Sequence, residues 1–343
     1  MPFVLLTFLA FLTVPSETVV LTGQTMGTTY HIKYVVGPSA PSSEKLHSEI
    51  KKILSDVDRQ MSTYRPDSEL SRFNRAAAEE WFPVSAATAE VVATAEQISR
   101  KTDGAIDVTV GPLVNLWHFG ASDSKLSRRK QKFVPPSASA ISKARKQVGF
   151  SKLEVRTDPP ALRKQVDGLQ VDLSSIASGY TIDWIAKLFE KRNLQNYMIE
   201  IGGEIRACGK RADGTPWRVA VERPVVGARE MEVAIPLVDA SIATAGGTRK
   251  FFEFRGRRYS HIIDPVTGKP VQHSLASVTV VSKSCIAADG WDTPLLVLGL
   301  ERGLECAERN HIAALFISEG PEGSKVQTTS EWRKRFGQKS PAR

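Results

Sequence analysis

The apolar residues of this chain change period many times, and that switching limits the fold more than any one segment does. Leu46, Ile50, Ile53, Leu54, Val57 and Met61 recur at helical spacing behind a capping Ser42 or Ser43. Val84–Lys101 repeats the pattern with Val91, Ala95 and Ile98, and stops at Asp103-Gly104. A third helix follows Ser174, with Ile182, Ile185, Leu188 and Phe189 facing the core. A fourth runs over Ile286–Arg309 and breaks or kinks at Pro294 and Gly299. Ile141–Val148 is a further short helix. Between them lie runs with strand character. Thr18–Val36 reads as two strands around a turn. Leu169–Leu173, Tyr197–Cys208, Trp217–Glu222, Met231–Val238, Ser277–Ser282 and Ala313–Ile317 are single runs. Phe251–Arg255 and Arg258–Ile263 form a hairpin around Gly256. Strands and helices alternate irregularly and hairpins are frequent. The expected class is therefore α+β, with mixed or mainly antiparallel sheets flanked by helices, rather than a doubly wound parallel sheet.

With 343 residues and 41 % hydrophobic content, the chain can bury a large core and is no disordered polymer. It contains no uninterrupted apolar run of about 18 residues, which argues against a polytopic membrane protein. Phe3–Val14 is instead the length of a signal-peptide core, so residues 1–16 are expected to be a leader or an anchor, and the protein to be exported to the periplasm or a periplasm-facing membrane. No cysteine follows that run to carry a lipid. Residues 17–330 form the expected domain, with an internal boundary or surface loop in the basic, Ser/Pro-rich stretch 120–145, and 331–343 a basic tail. The net charge of +9 is spread along the chain, as on a solvated surface, and calls for no nucleic-acid partner. Three cysteines without C-x-x-C spacing support neither a disulfide framework nor a thiolate metal site.

Three constellations carry chemistry. In Ala288-Asp289-Gly290-Trp291-Asp292-Thr293, positions 289, 292 and 293 share one helical face, so two carboxylates and a hydroxyl converge. Such hard oxygen donors suit Mg²⁺ or Ca²⁺, although acids at a helix start also serve the helix dipole. In Ser260-His261-Ile262-Ile263-Asp264-Pro265, an imidazole at a strand end is either a general base or a structural group. In Asp172-Leu173-Ser174-Ser175, a small-residue turn opens a helix whose free N–H groups favour anions. Gly202-Gly203, Gly246-Gly247 and Met26-Gly27-Thr28 mark turns or the close approach of a ligand. Tyr64 either stacks on an aromatic ligand or packs.

Taken in order, the segments TMGTTYHIKY, MSTYRPDSELSRFN, TDGAIDVTVGPLVNLW, VDLSSIASGYTID, IEIGGEIRACGK, SIATAGGT, YSHIIDPVTGKP and AADGWDTPLLVLG resemble the FAD:protein FMN transferase family over residues 22–300. That resemblance implies Mg²⁺ held by Asp289, Asp292, Thr293 and the Ser175 carbonyl. It implies FAD contacts at Met26, Tyr64, Ala105, Ile106, Asp107, Asp172, Ser178 and Ile263, with His261 as the base. Relatives often carry Lys or Glu where this chain has Ser178, so a long polar arm is missing there. The implied reaction moves FMN from FAD to a Thr or Ser hydroxyl of an acceptor protein, a membrane-associated redox subunit, and releases AMP. An Mg²⁺-dependent FAD pyrophosphatase would use the same residues with water as nucleophile. A non-catalytic flavin-binding protein is the third reading.

Overall fold

The computed structural model describes residues 17–37, 40–120, 133–224, 230–247, 250–321 and 323–337. The leader expected at residues 1–16 lies outside them. Its centre is an eight-stranded sheet. In spatial order the strands are Thr18–Thr25, Thr28–Val35, Tyr197–Ile201, Glu204–Cys208, Ala240–Gly246, Leu275–Ser282, Ala313–Gly320 and Gly323–Thr328. Every neighbouring pair is antiparallel. Small antiparallel sheets and hairpins surround it, so the expected α+β class holds.

Alternation along the strands covers both faces of the sheet. On one face, Tyr30, Ile32, Tyr197 and Ile199 pack against the helices Ser43–Met61 and Ala177–Lys191. Ala243, Ala245, Val278 and Val280 continue that face under the helices Ala86–Lys101 and Cys285–Leu298. On the other, Ile242, Val281, Leu315 and Ile317 pack against the hairpin of Trp217–Arg223 with Glu230–Leu237. The first helix buries the six residues that its periodicity names, Leu46, Ile50, Ile53, Leu54, Val57 and Met61. Ser42 caps it by accepting the Lys45 N–H.

Several local expectations change. Leu169–Leu173 forms no strand; Gln170 makes one isolated bridge to Val110. Its apolar residues are buried under neighbouring segments instead of being laddered. The polar stretch after Met61 contains a helix, Glu69–Arg75, which Ser68 caps by accepting the Ser71 N–H. The long helix over 286–309 divides at Gly299, whose φ of 78° ends the first part, while Pro294 is accommodated inside it. Of the boundary expected at 120–145, residues 121–132 lie outside the described residues. Ala138–Arg145 is a helix, and its Ile141 is buried with Leu113, Trp117, Val148 and Ile263. The tail expected from residue 331 begins folded: Ser330–Phe336 is a helix with Trp332 buried against the sheet.

Candidate functional site

A cleft of about 1070 Å³ opens at one end of the central sheet. The helix Cys285–Leu298 supplies its acidic floor. Ser284 precedes that helix without a capping side-chain bond. The carboxylate of Asp183, on the neighbouring helix, replaces it by accepting the N–H groups of Cys285 and Ile286, both at 2.9 Å. The two helices meet closely at Gly179, where a Cβ would fall 2.4 Å from the Cys285 carbonyl oxygen and 2.7 Å from Asp289 Cβ. The absence of a side chain lets the Gly179 N–H donate to Asp289 Oδ2 at 2.7 Å.

Asp289 and Asp292 are 5 % and 3 % exposed. Among the described residues neither has a cationic partner within ion-pair distance. The Thr293 hydroxyl donates to Asp292 Oδ1 at 3.1 Å. Burial pushes the Asp289 carboxyl up to about 7; the Gly179 N–H opposes this and the Asp183 charge adds to it. Burial also pushes Asp292 well above the carboxylate range, reinforced by the charges of Asp289 and Glu204. Two adjacent buried acids, both raised and one raised further by the other's charge, lack a positive charge beside them. No group of three or more His, Cys, Asp or Glu side chains stands in metal-binding geometry among the described residues. A cation here would therefore draw on the two carboxylates together with hydroxyl and carbonyl oxygens. That donor set fits Mg²⁺ and does not fit Zn²⁺.

The turn above this floor is held from behind. Asn74 bonds the Val171 peptide twice: its Nδ2 donates to the carbonyl at 2.9 Å, and its Oδ1 accepts the N–H at 2.7 Å. Asp172 Oδ1 then accepts the Ser174 N–H at 2.9 Å, and the Asp172 N–H donates to the Val108 carbonyl at 2.7 Å. This joins the turn to the Ala105–Asp107 segment. The Asp107 carboxylate is engaged by the Thr109 N–H and hydroxyl and by the Phe150 N–H, all within 2.8 Å. It organises its own loop, and the segment offers the cleft its backbone and small apolar groups.

His261 lies at the foot of the Phe251–Phe254/Arg257–Ser260 hairpin. Its Nδ1 is 3.1 Å from the Lys250 carbonyl oxygen. A carbonyl only accepts, so Nδ1 carries the proton in the neutral ring and Nε2 keeps its lone pair. Burial lowers the imidazole below its ordinary value, which the Lys250 bond partly offsets, and the ring is an unprotonated base at neutral pH. Phe119 meets it edge-on at 6.3 Å.

Ten of the thirteen sequence-predicted residues line this cleft: Ala105, Ile106, Asp107, Asp172, Ser175, His261, Ile263, Asp289, Asp292 and Thr293. Three do not. Met26 sits in the turn between the first two strands, at φ 47°, and packs against the core. Tyr64 is 63 % exposed. Burial of part of its ring and then the Asp172 charge raise its phenol. Ser178 lies half-buried in the first turn of the helix Ala177–Lys191. Sequence reasoning missed Lys250, Glu200, Glu204, Glu222 and Thr244, which also line the cleft. The doublets Gly202-Gly203 and Gly246-Gly247 were the available signal for that wall. Gly202 and Gly203 turn the chain at φ 70° and 120°, and with Gly246 they face the cleft.

The model of the ApbE family matches residues 26–316. A curated relative from Vibrio cholerae, named FAD:protein FMN transferase, is 45 % identical over 319 residues, 93 % of each chain. One of the same name from Haemophilus influenzae is 43 % identical over 324 residues, 93 % of this chain and 92 % of its own. Among solved structures, the flavin transferase ApbE from Vibrio cholerae superposes with a TM-score of 0.85, covering 94 % of this chain and 100 % of its own. The apo flavinyl transferase ApbE from Pseudomonas stutzeri gives 0.86 at 40 % identity, covering 96 % and 99 %.

Proposed function

The chain belongs to the ApbE family, and from that premise we propose that it is an FAD:protein FMN transferase acting on a Thr or Ser hydroxyl and releasing AMP. The observation that carries the reading is the pairing, in one cleft, of two buried uncompensated carboxylates with an imidazole whose Nε2 is free to accept a proton. Asp289, Asp292, Thr293 and the Ser175 carbonyl would hold Mg²⁺. When bound, it supplies charge neutralisation at the pyrophosphate oxygens.

The chain's own groups do the rest. The turn at Asp172–Ser175 and the Ala105–Asp107 segment form the wall for the flavin nucleotide. His261 Nε2 takes the proton of the acceptor hydroxyl. The hydroxyl oxygen forms a bond to the FMN-side phosphorus, the bond from that phosphorus to the bridging oxygen breaks, and AMP leaves with the bridging oxygen. FMN stays on the acceptor as a phosphoester. We further propose that the protein works outside the cytoplasm on a membrane-associated redox subunit; the support is the Phe3–Val14 leader pattern and the family resemblance. No helix of the described residues is long and apolar enough to cross a membrane.

The test is incubation of the purified chain with FAD, Mg²⁺ and a Thr-bearing acceptor, reading AMP and intact acceptor mass together, with the N-terminus of the exported chain sequenced in parallel. The expected result is one FMN moiety added per AMP formed. His261→Ala should lower turnover by about 10²–10⁴-fold while FAD affinity stays near wild type. Free FMN in place of modified acceptor would make the protein a pyrophosphatase. Bound, uncleaved FAD would make it a flavin carrier.

A further inference from the structure

The central strand Ala240–Gly246 has a neighbour on both sides for only part of its length. Toward Leu275–Ser282 its ladder runs from Ser241↔Ser282 to Gly246↔Ser277. Toward Glu204–Cys208 it ends at Ile242↔Ile205. The chain has already turned there, at Gly202-Gly203, between Tyr197–Ile201 and Glu204–Cys208. Thr244–Gly246 therefore runs on past the end of its neighbour, and no strand of the described residues pairs with it on that side. Thr244 there is exposed, Gly246 half-buried and Ala245 buried, and the N–H and C=O groups of an unladdered edge need partners.

This gap lies in the middle of the sheet, and it opens into the cleft. Thr244, Ala245 and Gly246 line the cleft on one side of the gap, and Gly202 and Gly203 line it on the other. All five are small. A Cβ built on Gly203 would meet nothing within 4 Å, and Thr244 is exposed. The notch thus admits a polypeptide backbone at close range. His261 lines the same cleft. The residues expected to meet FAD, namely Met26, Tyr64, Ala105, Ile106, Asp107, Asp172, Ser178 and Ile263, lie on other segments. An open strand edge repeats its polar groups about every 7 Å, which matches another extended chain and not a nucleotide.

We propose that this notch docks the acceptor: an extended segment of the acceptor protein adds as a short strand along Thr244–Gly246, which brings its hydroxyl to His261. The segment is recognised by its main chain. This rests on the transferase reading and names where its second substrate binds.

The experiment uses the full chain, FAD, Mg²⁺ and synthetic peptides carrying one Thr among Gly, Ala and Ser, with each residue N-methylated in turn. N-methylation at alternate residues should abolish FMN transfer, and at the intervening residues should change it by less than about twofold, as strand pairing requires. Thr244→Trp should raise the peptide KM about tenfold and leave FAD affinity, read by flavin fluorescence, within about twofold. Uniform sensitivity to N-methylation overturns the proposal without reference to any variant's folding. So does a Thr244→Trp loss shared equally by FAD. Wild-type enzyme that transfers FMN to no peptide, while cleaving FAD or leaving it intact, removes the transferase premise and the docking site with it.

Discussion

Asp183 and the pair Asp289/Asp292 lie at the same contact between two helices and are buried alike, yet their surroundings differ. Asp183 is 8 % exposed. It pairs with Arg206 at 2.6 Å and accepts two N–H groups at the start of the helix Cys285–Leu298. Asp289 receives one N–H and Asp292 one hydroxyl, and neither has a cation among the described residues. Burial alone therefore does not separate a structural acid from a functional one. Compensation does: the carboxylate paired with a guanidinium holds the fold, and the pair without a cationic neighbour keeps its charge uncompensated.

The contrast can be broken most decisively at Asp292. Asp292→Asn should lower FMN transfer about a thousandfold, equivalent to about 4 kcal/mol of barrier, because one of the two carboxylate charges that would hold the proposed cation is removed. Its thermal midpoint in chelator should be equal to or above wild type, since a repulsion has gone. A fall in that midpoint would assign Asp292 to the fold.

Asp183→Ala should do the reverse. It leaves Arg206 partly buried and strips two N–H groups at a helix start, at a cost of about 3 kcal/mol in urea unfolding. Midpoint stability close to wild type would sink the compensated reading of Asp183.

The smallest effect is in pH. Asp289 has a folded value of about 7 against an ordinary value of 3.8. The folded state therefore binds more protons than the unfolded one between those limits, and metal-free stability should fall as pH rises from about 4 to 7. The slope is at most about 1.4 kcal/mol per pH unit for each such proton. Saturating Mg²⁺ should flatten it, since the metal displaces the protons. A chelated protein with a flat profile across that window would show the pair to be compensated after all.

Local signals were strong where one element buries one face. The helix Ser43–Met61 was legible because its six buried residues are spaced for it and a serine caps it. The Asp289/Asp292/Thr293 face was legible because helical geometry alone brings those positions together. Leu169–Leu173 was misread because an apolar run says that a segment is buried without saying what covers it. Ser330–Phe336 was missed because one tryptophan among charged residues makes no pattern, although Trp332 is the residue that anchors it.

The sequence by itself determined the α+β class, the helix faces, and the oxygen-donor character of the Asp289–Thr293 stretch, because these follow from spacing within one segment. Only the tertiary structure decided which buried acids are compensated. The partners of Asp183 are on the strand Glu204–Cys208 and the helix Cys285–Leu298, and no local rule brings those segments together. It likewise decided that His261 has its Nδ1 bound to Lys250, that Met26, Tyr64 and Ser178 stand off the cleft wall, and that the central strand outruns its neighbour. Each of these depends on long-range strand register and helix approach, which are set by packing across the whole sheet.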